Sequence, residues 1–213
     1  MGKMRVWILM GLCGLSIAAS LAYFKKRSPE IKKSHARQIP IDSLAAILQD
    51  GDIVLRAGND MTSNMLRQLN LRDQRFSHCG LVFKSADTCW VYHSIGSESD
   101  PNQAIKKERL EQFYAPQNNI AIGYAGMQLS AAEQQRLQMV LDSFYQKKIP
   151  FDMQFDLHTD DKLYCSEMVA KALLLSVPQI GLKATDTLGK QYWSIDNLSH
   201  NDRVRMIQYL PYE

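Results

Sequence analysis

The chain has 213 residues, of which 46% are hydrophobic and 22% charged, a balance typical of a folded globular protein and not of a disordered or collagen-like one. Its net charge of +3 is unevenly divided, since residues 1–37 carry eight basic residues and one acidic residue, whereas residues 38–213 carry 17 basic and 21 acidic residues. Residues 38–213 therefore lack the basic excess that nucleic-acid binding requires, and we predict no nucleic-acid partner.

An apolar segment comes first in the chain. Residues 6–24 contain no charge and lie between basic residues on both sides. As a helix that rises about 1.5 Å per residue, this segment would reach about 29 Å, roughly the thickness of the hydrocarbon core of a membrane. We predict that residues 1–24 are a membrane anchor with one span. The alternative is a cleaved signal peptide, because Ser20 and Ala22 place small residues at the two positions that define a cleavage site.

A polar linker follows the apolar segment. Residues 25–40 are charged and contain two prolines, which predicts a basic tether to one domain over residues 41–213. The expected location is the bacterial envelope, with the protein either anchored through residues 6–24 or exported after cleavage. Basic residues on both flanks leave the side of the membrane open, and the sequence predicts no particular oligomeric state.

Short elements of mixed type open the domain. Apolar spacing and turn residues predict, in chain order, a helix over 41–49, a strand over 52–56, a helix over 62–71 and a β-hairpin of strands 76–83 and 89–94. In the second helix, Met65, Leu66 and Leu69 recur at helical spacing, which is the basis for predicting a helix there.

The hairpin brings two histidines onto one face of the predicted sheet. If Phe83 pairs with Thr88 across the loop, His78 lies directly opposite His93. Side chains in that position have Cβ atoms about 4.5 to 5.5 Å apart. The two imidazoles are therefore expected to interact.

Two longer helices are predicted in the second half of the domain. The remaining elements are a strand over 119–125, a helix over 130–147 and, after an acidic loop, a helix that begins near residue 164 and ends before Pro178. Ser130 and Glu133 form a capping-box pattern at the start of the first of these helices, and Leu137 and Leu141 belong to its apolar stripe.

Cys165 is the candidate nucleophile. A cysteine in the first turn of a helix is near the positive end of the helix dipole, which stabilises the thiolate. The alternative is a buried structural cysteine, the more frequent role of an isolated cysteine. A thiolate nucleophile needs an imidazole that accepts and returns a proton, and a third polar group that orients the imidazole. His78 and His93 could supply both groups.

Four segments resemble a known family. They are GDIVLR at 51–56, FSHCGLVF at 76–83, VYHSIG at 91–96 and FDLHTDDKLYCSEMVAKAL at 155–173. Together they are similar to the circularly permuted papain-like enzymes of the YiiX and YaeF type, which belong to the NlpC-like superfamily and are related to lecithin retinol acyltransferase. The resemblance implies an α+β fold in which a small antiparallel sheet or barrel packs on helices, one of which carries the cysteine.

The resemblance also implies roles for three residues. Cys165 would be the nucleophile, His78 the general base and later the acid, and His93 the orienting group. Members of the YiiX type often have a carboxylate at the third place, so His93 departs towards the His, His, Cys pattern of the acyltransferases. The motif around Cys165 favours the YiiX type.

The predicted function is a membrane-associated cysteine hydrolase of amide, ester or thioester bonds that forms an acyl-enzyme. Cell-wall peptides are the preferred substrates. The expected partners are a peptide, peptidoglycan or a lipid acyl substrate. Two alternatives stay open: a lipid or lipoprotein acyltransferase or thioesterase on the same fold, and a non-catalytic module that binds a peptide, glycan or lipid.

No metal or cofactor is predicted. Asp156, His158, Asp160 and Glu167 fall at positions 1, 3, 5 and 12 of a calcium-binding loop, but position 6 is Asp161 where that loop needs glycine. The histidines show no spacing typical of a zinc site.

Overall fold

The computed structural model describes residues 40–96, 100, 103–187 and 189–212. Its helices are α1 (Ile41–Ile47), α2 (Met61–Arg67), α3 (Leu110–Phe113), α4 (Ala131–Gln146), α5 (Cys165–Ser176) and α6 (Ile195–Ser199). Its strands are β1 (Ile53–Gly58), β2 (His78–Ser85), β3 (Thr88–His93), β4 (Lys106–Arg109), β5 (Asn119–Met127), β6 (Thr185–Thr187), β7 (Lys190–Tyr192) and β8 (Val204–Pro211). Every helix and strand predicted for residues 41–213 is present, with ends displaced by a few residues.

One antiparallel sheet organises the fold. Its strands follow the order β4-β3-β2-β1-β5-β8, and β6 pairs with β7 in a separate hairpin. Among the described strands, β4 and β8 are the two edges, so the sheet is open and is not a closed barrel. Helix α5 packs on β2 and on α4. The predicted α+β class, with an antiparallel sheet packed on the helix that carries the cysteine, is confirmed.

Helix α4 begins as the sequence predicts. The Ser130 hydroxyl accepts a hydrogen bond from the Glu133 N–H at 3.3 Å, and the Glu133 carboxylate accepts one from the Ser130 N–H at 2.8 Å. This reciprocal cap satisfies two donors that would otherwise have no partner. Leu137 and Leu141 of the same helix are fully buried.

The two faces of the sheet carry separate hydrophobic cores, because successive strand residues point to opposite faces. One face packs against α4 and α5 and includes Cys79 and Cys165. The other face packs against α1 and α3 and includes Val82 and Phe113. Neighbours at the start of β2 are thereby divided: Cys79 faces α5, while the ring of His78 lies 5.7 Å from that of Phe113.

The predicted register of the β2–β3 hairpin is wrong by two residues. Ser85 pairs with Thr88, whereas Phe83 was expected there. The physical reason is a tight reversal over two residues, of which Ala86 has a φ of 50°, so the ladder extends further towards the loop. A four-residue loop over residues 84–87 would have left Lys84 and Ser85 unpaired.

The shift changes how the two histidines meet. His93 lies beside Gly80 and not directly opposite His78. Side chains alternate with a period of two, so a two-residue shift keeps both histidines on one face and makes them diagonal neighbours. Their rings remain close, with centroids 5.1 Å apart.

Helix α2 forms where a helix was predicted, but it buries none of its side chains. Met65 is 67% exposed, and Leu69, just beyond the helix, is 40% exposed. The carboxylate of Asp60 accepts hydrogen bonds from the N–H of Ser63 at 2.8 Å and from its hydroxyl at 2.7 Å. Local capping and not an apolar face therefore fixes the start of this helix.

The predicted anchor over residues 1–24 lies outside the described residues, as does the tether apart from Pro40. In the part of the chain that the structure describes, every helix is too short or too polar to span a membrane.

Gly80→Ala should destabilise the hairpin that holds the histidines. A Cβ at this position would lie 2.8 Å from the backbone oxygen of Tyr92 and 3.0 Å from the Cβ of His93, and backbone cannot yield as a side chain does. We expect a loss of about 1–3 kcal/mol in the free energy of unfolding, measured in urea.

The control for this change is Gly126→Ala in the same sheet, where the new Cβ would meet the flexible side chain of Arg205 at 2.6 Å. Gly126→Ala should lose less unfolding free energy than Gly80→Ala. Equal losses in the two variants would contradict the assigned packing at Gly80.

Candidate active site

Cys165 is the first residue of α5 and is 8% exposed. Tyr164, immediately before it, is held at both ends: its N–H donates to the Glu167 carboxylate at 3.3 Å, and its hydroxyl accepts from the Trp193 N–H at 2.6 Å. The N–H groups of a first helical turn have no helical acceptors, and the positive end of the dipole lies there. The position of Cys165 therefore favours negative charge on its sulfur.

A second thiol contacts Cys165. Hydrogen bonding to the Cys79 side chain lowers the pKa of Cys165, with help from the backbone N–H groups of Cys79 and Ser166, and together these effects outweigh burial. Burial raises the pKa of Cys79 well above its ordinary value. Cys79 therefore keeps its proton and donates it towards the sulfur of Cys165, which favours the thiolate of Cys165.

Three side chains from neighbouring strands form a continuous chain of polar contacts. His78 Nε2 lies 2.9 Å from His93 Nδ1, and His93 Nε2 lies 3.0 Å from Glu108 Oε1. The second contact has ion-pair distance but departs from regular hydrogen-bond direction. His93 is 1% exposed on its side chain and Glu108 25% exposed, so His93 is shielded from water and depends on these two partners.

These contacts assign the protons on both imidazoles. An ionised carboxylate only accepts, so the proton of His93 belongs on Nε2, which faces Glu108. His93 Nδ1 is then an acceptor, and His78 must donate to it from Nε2. The second nitrogen of His78, Nδ1, is left with a free lone pair. The chain of contacts thus leaves a basic nitrogen on His78.

Burial favours the neutral form of both imidazoles. Burial lowers the pKa of His78 well below its ordinary value, and the positive charge of Arg56 lowers it further. Burial also lowers the pKa of His93, against the opposing effect of Glu108. Burial alone would raise the pKa of Glu108, but the contact with His93 and the cations Lys106 and Arg56 hold it below its ordinary value.

The three residues predicted from the sequence are brought together in two groups. His78 and His93 are in contact on one face of the sheet, and Cys165 lies on the other face against Cys79, the residue that follows His78. Among the described residues, no hydrogen bond joins Cys165 to either imidazole. Catalytic hydrogen bonds often form only when substrate is bound, so this arrangement is compatible with a nucleophile and base.

Arg56 connects the two groups electrostatically. It pairs with His78 across β1 and β2, and its charge acts on both His78 and Cys165. Arg56 lies in the segment GDIVLR, which carries part of the family resemblance, but its role was not predicted from the sequence. Glu108 was missed altogether, because in the run Lys106–Arg109 it looks like one of several solvated charges and only strand pairing reveals its partner.

Glu167 is a buried carboxylate close to Cys165 along α5. Its side chain is fully buried, and its Oε1 lies 2.8 Å from Lys171 Nζ. Burial raises the pKa of Glu167 to about 7, against the opposing charge of Lys171. The same ammonium binds Asp160 at 2.5 Å and the carbonyl of Thr159 at 2.8 Å. Glu167 and Lys171 therefore tie the acidic loop to the helix that carries Cys165.

Backbone N–H groups within the acidic loop, residues 151–163, also bind its carboxylates. Asp152 accepts hydrogen bonds from the N–H groups of Gln154 at 2.8 Å and Asp156 at 2.6 Å. Within residues 40–96, 100, 103–187 and 189–212, no three His, Cys, Asp or Glu side chains gather into a group that could hold a metal ion.

Comparisons with known proteins show the family and the fold of the chain. Residues 47–203, about three-quarters of the chain, match a family model described as permuted papain-like amidase enzyme, YaeF/YiiX. The crystal structure of the metalloprotein YiiX from Escherichia coli aligns with a TM-score of 0.60 at 19% sequence identity, covering 78% of this chain and 98% of that chain. At that identity the structural likeness establishes the fold alone. A search of curated proteins returned no match.

Glu167→Gln should change how stability depends on pH. The folded protein holds a proton on Glu167 up to a pKa of about 7, against 4.5 for the ordinary group. This contribution to stability is complete below about pH 4.5 and is lost as pH rises through about 7. Relative to the variant, the wild type should lose up to about 3 kcal/mol of unfolding free energy between pH 4.5 and 8.

Urea denaturation at a series of pH values measures this difference. Glu111→Gln, at an exposed carboxylate in the first turn of α3, is the matched control and should parallel the wild type. A Glu167→Gln curve that also parallels the wild type would show that burial does not raise the pKa of this carboxylate.

Proposed function

Because the chain belongs to the permuted papain-like amidases of the YaeF/YiiX type, we propose that it hydrolyses amide bonds with Cys165 as the nucleophile. Membership of this family was predicted from four sequence segments and supports a cysteine hydrolase. The observation that carries the proposal is the chain of contacts from Glu108 through His93 to His78, which leaves His78 Nδ1 as a base.

The reaction proceeds through an acyl-enzyme. The Cys165 sulfur attacks the amide carbonyl carbon and forms a C–S bond, while His78 accepts the thiol proton. His78 then gives that proton to the leaving amine as the C–N bond breaks. Water attacks the resulting thioester and passes a proton to His78, and the acid leaves as the Cys165 thiol regains that proton.

The surrounding groups stabilise the charges that develop. An imidazolium on His78 would be stabilised through His93 by the carboxylate of Glu108, which is a positioning role because Glu108 does not touch the reacting atoms. The oxyanion would be stabilised by N–H groups at the start of α5, among them the N–H of Cys165 itself.

Cell-wall peptides are the proposed substrates. The support is the sequence: an apolar segment over residues 6–24 and a basic tether would hold the domain near a membrane in the bacterial envelope.

The histidine at position 93 favours a second candidate function, acyl transfer from a lipid or lipoprotein, because it matches the His, His, Cys pattern. A binding module without catalysis is the alternative from another class.

The solved neighbour is described as a metalloprotein. In the described part of this chain the donor side chains do not converge in a set of three, and His93 Nδ1 and Nε2 are both in contact with protein groups. The described residues do not fit a metal site, and the proposed steps use only groups of the chain and water.

The acyl-enzyme tests the proposed function directly. The full chain is incubated with peptidoglycan extract or lipid extract, denatured in acid, and the mass of the peptide that contains Cys165 is measured. We expect a peptide-derived acyl group from the first extract, absent in Cys165→Ala. A lipid-derived acyl group would favour acyl transfer, and no adduct from either extract would favour the binding module.

Glu108→Ala should lower kcat by about 10- to 100-fold with little change in KM, because it removes the group that orients the imidazoles. Glu108→Gln should recover part of the rate, since its amide oxygen can still accept from His93. The pH at which activity falls on the acidic side should move in Glu108→Ala. Glu111→Ala on the neighbouring helix is the control, and an equal loss in both variants would contradict the role of Glu108.

A further inference from the structure

Arg56 is a cation that borders both parts of the candidate site. It lies on β1 directly opposite His78, in a pairing that brings Cβ atoms to about 4.5 to 5.5 Å. Its guanidinium carbon lies 5.1 Å from the centre of the Phe113 ring, and its charge interacts with Cys165. A group bound to Arg56 would therefore lie beside His78 and within electrostatic reach of Cys165.

The hydrogen-bonding capacity of Arg56 is largely unused. Nη1 donates to Asn119 Oδ1 at 3.3 Å, a neutral acceptor whose amide nitrogen is already bound to the carbonyls of Phe113 at 3.2 Å and Ala115 at 2.9 Å. Nε is buried and has no acceptor, and within the described residues Nη2 has no hydrogen-bond acceptor either. Donors left without acceptors in a partly buried site cost free energy until a ligand supplies one.

The charge of Arg56 also has no carboxylate paired with it in the described residues. Within the described residues it forms no ion pair, and the two carboxylates whose charges reach it are engaged elsewhere: Glu108 contacts His93 at 3.0 Å, and Asp60 accepts from the Ser63 N–H at 2.8 Å at the start of α2. Burial lowers the pKa of Arg56 despite these charges. A partly buried cation without a paired anion favours binding of an anionic ligand.

We propose that Arg56 binds a carboxylate of the substrate close to the scissile carbonyl, so that the protein prefers acyl groups with a negative charge beside the reacting carbon. The inference rests on the proposed function, because it takes Cys165 as the nucleophile. A carboxylate fits the site since it brings one negative charge and two coplanar oxygens, which match the planar donors of a guanidinium.

Alkylation of Cys165 tests the inference without any knowledge of the natural substrate. Iodoacetate and iodoacetamide react alike, since the sulfur displaces iodide and forms a thioether, but only the former carries a carboxylate. The rate constants for both reagents are measured from the mass of the Cys165 peptide in the full chain. The longer pair, 3-iodopropionate and its amide, extends the reach of the carboxylate by one carbon.

In Arg56→Gln, the ratio of the iodoacetate rate to the iodoacetamide rate should fall by about 10-fold or more, or the corresponding ratio for the longer pair should do so. Arg56→Lys keeps the charge but loses the planar donors, so its ratio should lie between that of the wild type and that of Arg56→Gln. Arg109→Gln removes an exposed arginine 5.9 Å from the Trp90 ring and should leave the ratio within about twofold of the wild type.

Several results would overturn the inference. Equal changes with the charged and neutral reagents would mean that Arg56 acts on the thiolate and does not bind the carboxylate. If Arg109→Gln changed the ratio as much as Arg56→Gln, the preference for the charged reagent could not be assigned to Arg56. Stronger protection of Cys165 by inorganic phosphate than by acetate would make the ligand a phosphate group.

The same experiment separates this inference from the proposed function. If Cys165 reacts faster than an ordinary thiol with the neutral reagent and the ratio does not depend on Arg56, the nucleophile stands and only the carboxylate site is lost. If Cys165 in the native protein reacts no faster than an ordinary thiol with either reagent, both proposals fail together.

Discussion

The candidate site depends on the alternation of side chains at the start of β2. His78 and Cys79 are consecutive, so their side chains point to opposite faces of the sheet. Cys79 meets Cys165 at the start of α5 and lowers its pKa, while His78 meets His93 at 2.9 Å. A shift of β2 by one residue would exchange the two faces and separate each side chain from its partner. The pairing of β2 with β1 therefore holds both halves of the site together.

The polar chain on the second face needs three adjacent strands. His78, His93 and Glu108 come from β2, β3 and β4 and are diagonal neighbours on one face of the sheet: Glu108 pairs with Val91, two residues from His93, and His93 lies beside Gly80, two residues from His78. Gly80 leaves space beside His93, where a Cβ would be 3.0 Å from that of His93. The carboxylate at the edge strand fixes the proton of His93, and His93 in turn fixes that of His78. The basic nitrogen of His78 is thus determined by a residue two strands away.

Sequence reasoning reached the parts of this arrangement that depend on local patterns. The cap at Ser130, the start of α5 at Cys165 and the strand that holds His78 all follow from spacing within a few residues. It failed where the outcome depends on pairing between distant segments. The hairpin register was missed by two residues because the tight turn at Ala86 has no glycine to mark it, and β4 was missed because its four charged residues give no alternation.

Electrostatics links the resting site to its substrate. Positive charge from Arg56 and Lys106 adds to burial in lowering the pKa of His78, so an imidazolium is disfavoured while the site is empty of anions. A carboxylate bound to Arg56 would cancel much of that positive field at close range, where screening by water is weak. The pKa of His78 would then rise, and transfer of the Cys165 proton to it would become easier. Binding a charged substrate would in this way activate the base that cleaves it, whereas a neutral analogue would leave His78 a weaker base.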